Sequence, residues 1–251
     1  TESSTCFQSA AMAWRSIYGN DICFPDLMHA QTVLVWSNNL YHSNVGMARP
    51  YQSLKARGAK IIAVDPRETV TTQAADIHLK LLPGTDGALA LSMAQVIIEE
   101  GLYDKEFVET YVYGFEEYQA YVNQFPPEKA EKITGVDKEL IREAARMYAS
   151  NGPAGIMFSA SPVVHNINGM QNYRAVMCLI ALTGNYDIPG GNPSRPGPVS
   201  PCNEYGKVKR LDTIEAIGEK DFTAWFDLPC EEAQCTRIAD YILKEEPYPL
   251  K

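Results

Sequence analysis

Several signals that mark common protein classes are missing from this sequence. No apolar run approaches the roughly 20 residues that a membrane-spanning helix needs, so we expect no direct insertion into a membrane. Lysine and arginine number 22 against 31 aspartates and glutamates, which gives a net charge of −9. This balance argues against the basic surface that nucleic-acid-binding proteins use. The six cysteines form no C-x-x-C pair, so the usual zinc and thioredoxin-like spacings are absent.

The glycine fingerprints of ordinary nucleotide enzymes are missing as well. Neither G-x-G-x-x-G nor G-x-x-x-x-G-K-[ST] occurs, which counts against nicotinamide, flavin or ATP sites of the usual kind. The sequence opens without a methionine and without a basic segment followed by an apolar run, and Cys6 comes early. The compartment stays open between cytoplasm and periplasm.

Four short apolar runs are the first positive signal. They cover residues 32–36, 60–64, 77–82 and 155–158, and each ends at residues that break regular structure. Apart from His78 and Lys80 in the third run, their apolar residues are continuous rather than alternating, which is typical of strands covered on both faces of a parallel sheet.

Helical patterns lie between these runs, at residues 87–101, 137–150 and 170–182. Asp137 is placed to cap the second helix and Gly101 to end the first. Helices that alternate with buried strands predict a doubly wound α/β domain, Rossmann-like, with a mostly parallel sheet and helices on both faces. Proline and glycine then become frequent after Asn185, and a weaker helical pattern follows near residues 236–244. We therefore place one α/β domain at residues 1–193 and a loop-rich, irregular C-terminal extension at 194–251.

Polar residues follow each apolar run, at the strand ends where open α/β sheets bind ligands. Asp65 suits ribose hydroxyls, Arg67 suits a phosphate, and Asp86 suits the paired N–H donors of a guanine edge. Asn39 and Ser161 lie in the loops after the first and fourth runs. The alternative is that these loops are polar because turns are exposed and favour such residues. Their shared position at strand ends favours a nucleotide pocket.

Longer segments resemble a known family. "LVWSNN", the block from "VDPR" to "FEEY", "ITGVDKELIREAARMYA" and "ALTGNYDIPGGNP" are similar, in that order, to the central cofactor-binding domain of molybdopterin oxidoreductases of the DMSO reductase family. The resemblance runs from Cys6 to about Pro193.

This resemblance implies the catalytic subunit of a redox enzyme that transfers oxygen atoms or hydrogen on a small-molecule substrate. Its cofactor would be molybdenum or tungsten on two molybdopterin guanine dinucleotides. A 4Fe-4S cluster would lie in an N-terminal domain outside these residues, and a further domain would hold the second dinucleotide. The chain is then expected to be a piece of a longer one, inactive alone, whose partners are the remainder of its own chain and an iron-sulfur electron-transfer subunit.

The resemblance also implies roles for particular residues. Cys6, in "TCFQSAAMAW", falls on the position of the metal ligand, whereas the alternative makes it a buried small hydrophobe. The first loop would contact one dinucleotide through Asn39, His42 and Ser43, the second through Asp65, Pro66 and Arg67, and the guanine loop would comprise Gly84, Thr85 and Asp86. Ser161 and His165 would lie in a loop facing the metal, although His165 fits a solvated loop equally well. Arg195 falls near an active-site arginine.

Two departures bear on the substrate. Phe7 follows Cys6 where the formate-oxidising branch has histidine, and "RPGP" replaces its "RGQN" after position 194, so we do not expect formate oxidation. One alternative is a non-catalytic scaffold or electron-transfer subunit related to the large iron-sulfur subunit of complex I. Another, weaker one is a nicotinamide-dependent α/β enzyme.

Overall fold

The computed structural model describes residues 7–20, 22–159, 163–194, 217–221 and 238–246. The strands are β1 (Thr32–Trp36), β2 (Lys60–Val64), β3 (Ile77–Leu79) and β4 (Ala154–Phe158). The helices are α1 (Phe7–Tyr18), α2 (Ala48–Ala56), α3 (Val70–Gln73), α4 (Asp86–Glu99), α5 (Lys105–Tyr111), α6 (Phe115–Val122), α7 (Pro127–Thr134), α8 (Lys138–Ser150), α9 (Gly169–Leu182) and α10 (Ile238–Lys244). A 3-10 turn covers Val45–Met47. Among these described helices, none is long and apolar enough to cross a membrane.

The four strands form one parallel sheet in the order β3-β2-β1-β4. Leu34 of β1 stands opposite Ile62 of β2 and Ile156 of β4. The chain builds the sheet outward from β1 to β3 and then crosses back to place β4 on the other side of β1. The predicted doubly wound, parallel α/β fold is therefore confirmed.

Both faces of the sheet are buried, which explains the continuous apolar runs. Val33 and Val35 of β1 pack on one face with Leu54 of α2, whereas Leu34 and Trp36 belong to the larger cluster on the other face. Successive strand residues point to opposite faces, so both faces need apolar side chains when helices cover each of them. Each fully buried Val, Leu or Ile stabilises the fold by about 1.5–3 kcal/mol.

Helix α4 departs from its predicted form. In its sequence Leu89, Met93, Val96 and Ile97 lie on one stripe, which predicts a single buried face, but α4 is buried all round from Leu89 through Ile98. The reason is that α4 packs against α6, α7, α8 and α9 rather than lying on a solvated surface. It is the central helix of a cluster that α8 connects to the sheet.

The two predicted helix ends are confirmed. Asp137 Oδ1 accepts hydrogen bonds from the backbone N–H groups of Glu139 at 2.9 Å and Leu140 at 3.2 Å. At the end of α4, Gly101 adopts φ +67° and its N–H donates to Ile98 O, while Leu102 N–H donates to Ile97 O. This pair of bonds satisfies the last carbonyls of the helix and needs the left-handed backbone that glycine adopts readily.

Strand β3 is shorter than predicted. The apolar run 77–82 predicts a strand to Leu82, but β3 ends at Leu79 and Leu82 N–H donates instead to Thr134 O at the end of α7. Leu81 remains buried because it packs into the helix cluster. The run 77–82 therefore covers two environments, and its pattern alone does not separate them.

Two asparagine side chains complete the outer edge of β4. Asn192 Oδ1 accepts from Ile156 N–H at 2.8 Å and its Nδ2 donates to Ile156 O at 2.9 Å, while Asn185 Oδ1 accepts from Ala154 N–H at 2.9 Å. Asn192 Nδ2 also donates to Cys23 O at 3.0 Å. These amides do what a neighbouring strand would do and leave less open edge for another chain to pair with.

Candidate functional site

The candidate site lies between the carboxyl ends of β1 and β4. The chain leaves β1 toward β2 on one side, and β4 stands on the other, so the connections diverge at this point. Open α/β sheets bind ligands in the crevice that such a divergence creates. A cavity of about 250 Å³ occupies it, lined by Ile22, Phe24, Asn38, Ser43, Asn44, Phe158, Ser159 and Tyr173.

Hydrogen bonds to β2 and to β4 hold the turn after β1 in place. Ser37 has φ +54°, and its N–H donates to Val64 O at 2.7 Å. Asn38 is buried and its Nδ2 donates to Phe158 O at 3.0 Å, which ties the end of β1 to the end of β4. A non-glycine residue in the left-handed region carries strain that its surroundings must offset. These bonds fix the wall of the cavity.

Asn39 carries an unpaired polar atom. Its backbone oxygen accepts from the N–H groups of His42 at 3.1 Å and Ser43 at 2.8 Å, which closes the loop. Its Oδ1 is buried without a hydrogen-bond partner. A buried acceptor without a donor costs about 1–3 kcal/mol, so this atom is suited to a donor on a ligand. Ser43 and His42 are both exposed, and Ser43 lines the cavity.

The loop after β2 presents Arg67. Asp65 is buried, and its Oδ1 accepts from Arg67 N–H at 2.8 Å. The Arg67 side chain is exposed, with its Nε 3.8 Å from Asp65 Oδ1. Pro66 stands between them and is partly buried. The loop thus keeps a guanidinium at the surface, where it can contact an anion.

The second loop is joined to the first through the short helix α3. Thr71 Oγ1 accepts from Leu40 N–H at 3.1 Å, and Thr71 O accepts from Tyr51 OH at 3.0 Å. Thr69 and Thr72 form a reciprocal cap at the start of α3. These bonds tie the two loops to α2 and α3.

The loop after β3 leads directly into α4. Gly84 has φ +84°, and Thr85 Oγ1 donates to Leu82 O at 2.6 Å. Asp86 is buried at the first position of α4, and its Oδ1 accepts from Trp36 Nε1 at 2.7 Å. Burial raises the pKa of the Asp86 carboxyl, and the Trp36 hydrogen bond lowers it in part.

Asn172 of α9 connects this loop to the segment before α9. Its Nδ2 donates to Gly84 O at 3.4 Å and to Asn166 Oδ1 at 3.2 Å. The fit is close, since a Cβ on Gly87 would lie 2.5 Å from Asn172 Oδ1. Sequence reasoning missed both Asn172 and Trp36. The sequence did contain one indication of Asn172, because it is a polar residue within an otherwise apolar helical pattern.

Three predicted residues lie outside the described part of the chain: Cys6, Ser161 and Arg195. His165 is described and is exposed in the segment before α9. The other predicted residues occupy three loops at one edge of the sheet. Thr71 connects the first loop to α3 after the second, Trp36 connects the end of β1 to the third loop, and Asn172 connects the third loop to the segment before α9. Within the described ranges, no group of three or more His, Cys, Asp or Glu residues is placed to hold a metal ion.

Comparison with known proteins identifies the family. The model of the molybdopterin oxidoreductase family matches residues 2–224. The chain belongs to this family. The chain is 38% identical over 197 residues to the F420-dependent formate dehydrogenase subunit alpha of Methanocaldococcus jannaschii, covering 78% of this chain and 28% of that protein. It is 41% identical over 172 residues to formate dehydrogenase H of Escherichia coli, covering 68% and 24%.

A solved structure supports the same assignment. Acetylene hydratase from Pelobacter acetylenicus superposes with a TM-score of 0.69 at 38% identity, over 72% of this chain and 25% of that one. The molybdopterin oxidoreductase chain thus shares the α/β fold of that enzyme. It spans about a quarter of the length of the curated relatives that it matches.

The residues present suit a molybdopterin cofactor. Such a group brings many hydrogen-bond donors and a phosphate-bearing tail, and the edge offers an unpaired Asn39 Oδ1, an exposed Arg67 guanidinium and the cavity at the β1–β4 divergence. Glycine at position 84 adds a loop with φ +84° where the backbone is exposed.

Proposed function

We propose that this chain is the central part of the catalytic subunit of a molybdenum or tungsten oxidoreductase. It would bind a bis-molybdopterin guanine dinucleotide and act on a small substrate by transfer of an oxygen atom or of hydrogen. The observation that carries the proposal is the cavity at the β1–β4 divergence, whose lining includes Asn38 and Ser43 of the first loop. The family assignment supports it, since the matched model is that of molybdopterin oxidoreductases.

Each of the three loops would bind a different part of the cofactor. The loop with Asn39, His42 and Ser43 would contact one dinucleotide at the cavity, and Arg67 of the second loop, held by Asp65 and Pro66, would neutralise a phosphate. In the third loop, Gly84, Thr85 and Asp86 would receive the guanine base. Ser161, His165 and Arg195 would face the substrate side. When bound, the metal cofactor supplies the redox chemistry, and the chain supplies binding, orientation and exclusion of water.

Cys6 is the proposed metal ligand. A thiolate suits a soft metal centre, and only the deprotonated form binds. Cys178 is unsuited to this role because burial raises its pKa to about 11, so it remains a neutral thiol near pH 7. Cys23 is buried between α1 and β1 and is one of the core residues. We assign Cys6 to the metal because the resemblance places it at the position of the family's metal ligand, and neither Cys178 nor Cys23 competes for that role.

The rest of the proposed enzyme would complete the cofactor site. We propose that residues 1–193 form the cofactor-binding unit and that 194–251 lead into a neighbouring domain. Other parts of its own chain would carry the 4Fe-4S cluster and hold the second dinucleotide. An iron-sulfur electron-transfer subunit is the proposed partner, since relatives in Methanocaldococcus jannaschii and Methanococcus maripaludis are named as alpha subunits.

The proposal is tested by the composition of the full-length protein. We expect protein purified without oxygen to contain molybdenum or tungsten by elemental analysis, and to release two guanine nucleotides per metal atom on acid hydrolysis. Protein that is active in its complex but contains neither metal nor guanine nucleotide would contradict the proposal and favour the scaffold subunit. Tight NADH binding with enhanced nicotinamide fluorescence would instead favour the nicotinamide enzyme.

A further inference from the structure

The hydrogen bond between Trp36 and Asp86 joins two elements that are far apart in sequence. Trp36 is the last residue of β1 and is 0% exposed, while Asp86 begins α4 and is 3% exposed. Their Nε1 and Oδ1 atoms are 2.7 Å apart. Strand β1 thereby fixes the orientation of a carboxyl group that belongs to the third loop.

This contact favours the ionised form of Asp86. An indole N–H is a donor only, and its bond to a carboxylate is stronger than its bond to a neutral carboxyl. Asp86 also stands in the first turn of a 14-residue helix, where the helix dipole favours an anion. Burial opposes ionisation by raising the pKa, and no charged side chain in the described part of the chain contributes to the shift.

The charge of this carboxyl decides which purine it can recognise. An ionised carboxylate has acceptor sites on both oxygens, so it can accept from Trp36 and still receive two neighbouring N–H donors. The Watson–Crick edge of guanine presents two such donors, at N1 and N2. Adenine presents one donor and one acceptor there, a pattern that a protonated carboxyl matches.

We propose that Trp36 is a specificity-determining residue, which holds Asp86 as an oriented anion and thereby makes the third loop select guanine over adenine. This inference rests on the proposed function, since it requires a purine base at Asp86. It adds that the selection depends on a strand residue that acts on the base only through its hydrogen bond to Asp86.

The test compares GDP and ADP binding to the full-length apoprotein by titration calorimetry. We expect wild-type protein to prefer GDP and Trp36→Phe to lose about tenfold or more of that preference, the loss typical of one bidentate base contact. Trp14→Phe is the matched control, because Trp14 is also 0% exposed and its Nε1 has no hydrogen-bond partner. The control is expected to retain the wild-type preference.

A second variant keeps the test decisive if Trp36→Phe does not fold. Asp86→Asn retains an oxygen that can accept from Trp36, but its amide offers the base an acceptor and a donor, so we expect it to lose the preference for GDP. Retained preference in a folded Trp36→Phe overturns the role of Trp36 and leaves the guanine contact of Asp86 standing. Retained preference in Asp86→Asn overturns the role of Asp86 in base selection, and the role of Trp36 with it. Wild-type protein without preference for GDP overturns the guanine assignment itself.

Discussion

Asn172 and Gly87 show how single residues set the third loop. The Asn172 side chain reaches Gly84 O and lies directly against the backbone of Gly87. A residue larger than glycine at position 87 has no room, so the glycine serves packing between α4 and α9. Trp36 has a similar effect on Asp86 from the other side.

Gly87→Ala is predicted to destabilise the protein. Alanine normally favours a helix by about 1 kcal/mol over glycine, but the new Cβ would lie 2.5 Å from Asn172 Oδ1. Overpacking of this kind costs about 1–3 kcal/mol, which offsets the helical gain, so we expect a net loss of up to about 2 kcal/mol. Urea denaturation of the full-length protein measures the free energy of unfolding. Gly46→Ala is the control, since nothing lies within 4 Å of a Cβ there, and equal stability of the two variants would refute the packing argument.

At the scale of elements, the strands were the most predictable part. Residues 32–36 and 60–64 match β1 and β2 end to end, because buried parallel strands leave a continuous apolar run. Helices α5 to α7 had no clear pattern in the sequence. They are only seven or eight residues long, and short helices depend on tertiary packing more than on their own sequence.

The edge of β4 carries an element-scale prediction. Asn192 is 0% exposed and bonds Ile156 twice and Cys23 once. Asn192→Ala leaves these buried backbone groups without partners, so we expect a loss of about 2–4 kcal/mol in the free energy of unfolding. Asn123→Ala, at an exposed position after α6, should change it little. Thermal and urea denaturation of both variants measure the free energy of unfolding. An Asn192→Ala variant as stable as wild type would show that the edge of β4 needs no side-chain hydrogen bonds.

The candidate site was predictable to the level of loops. The strand-end rule places Asn39, Asp65 and Asp86 at one edge of the sheet, and the structure has them there. The links between the loops were not predictable, because Trp36 and Asn172 bond residues 50 and 88 positions away in sequence. Spacing within one sequence carries no signal for such contacts.

At the scale of the whole molecule, the chain holds one α/β unit of the molybdopterin oxidoreductase family. Its α1 helix begins one residue after Cys6 and packs against α9, beside the cavity that Tyr173 lines. The central claim is that this chain supplies both the pocket and the metal ligand.

X-ray absorption at the metal edge of the full-length protein tests this claim most directly. We compare wild type with Cys6→Ala and, as control, with Cys178→Ala, which removes a thiol whose pKa of about 11 keeps it protonated. The account predicts molybdenum or tungsten in wild type, one sulfur fewer around the metal in Cys6→Ala, and an unchanged sulfur shell in Cys178→Ala. A metal-free wild type, or a sulfur shell that is the same in all three proteins, would contradict it.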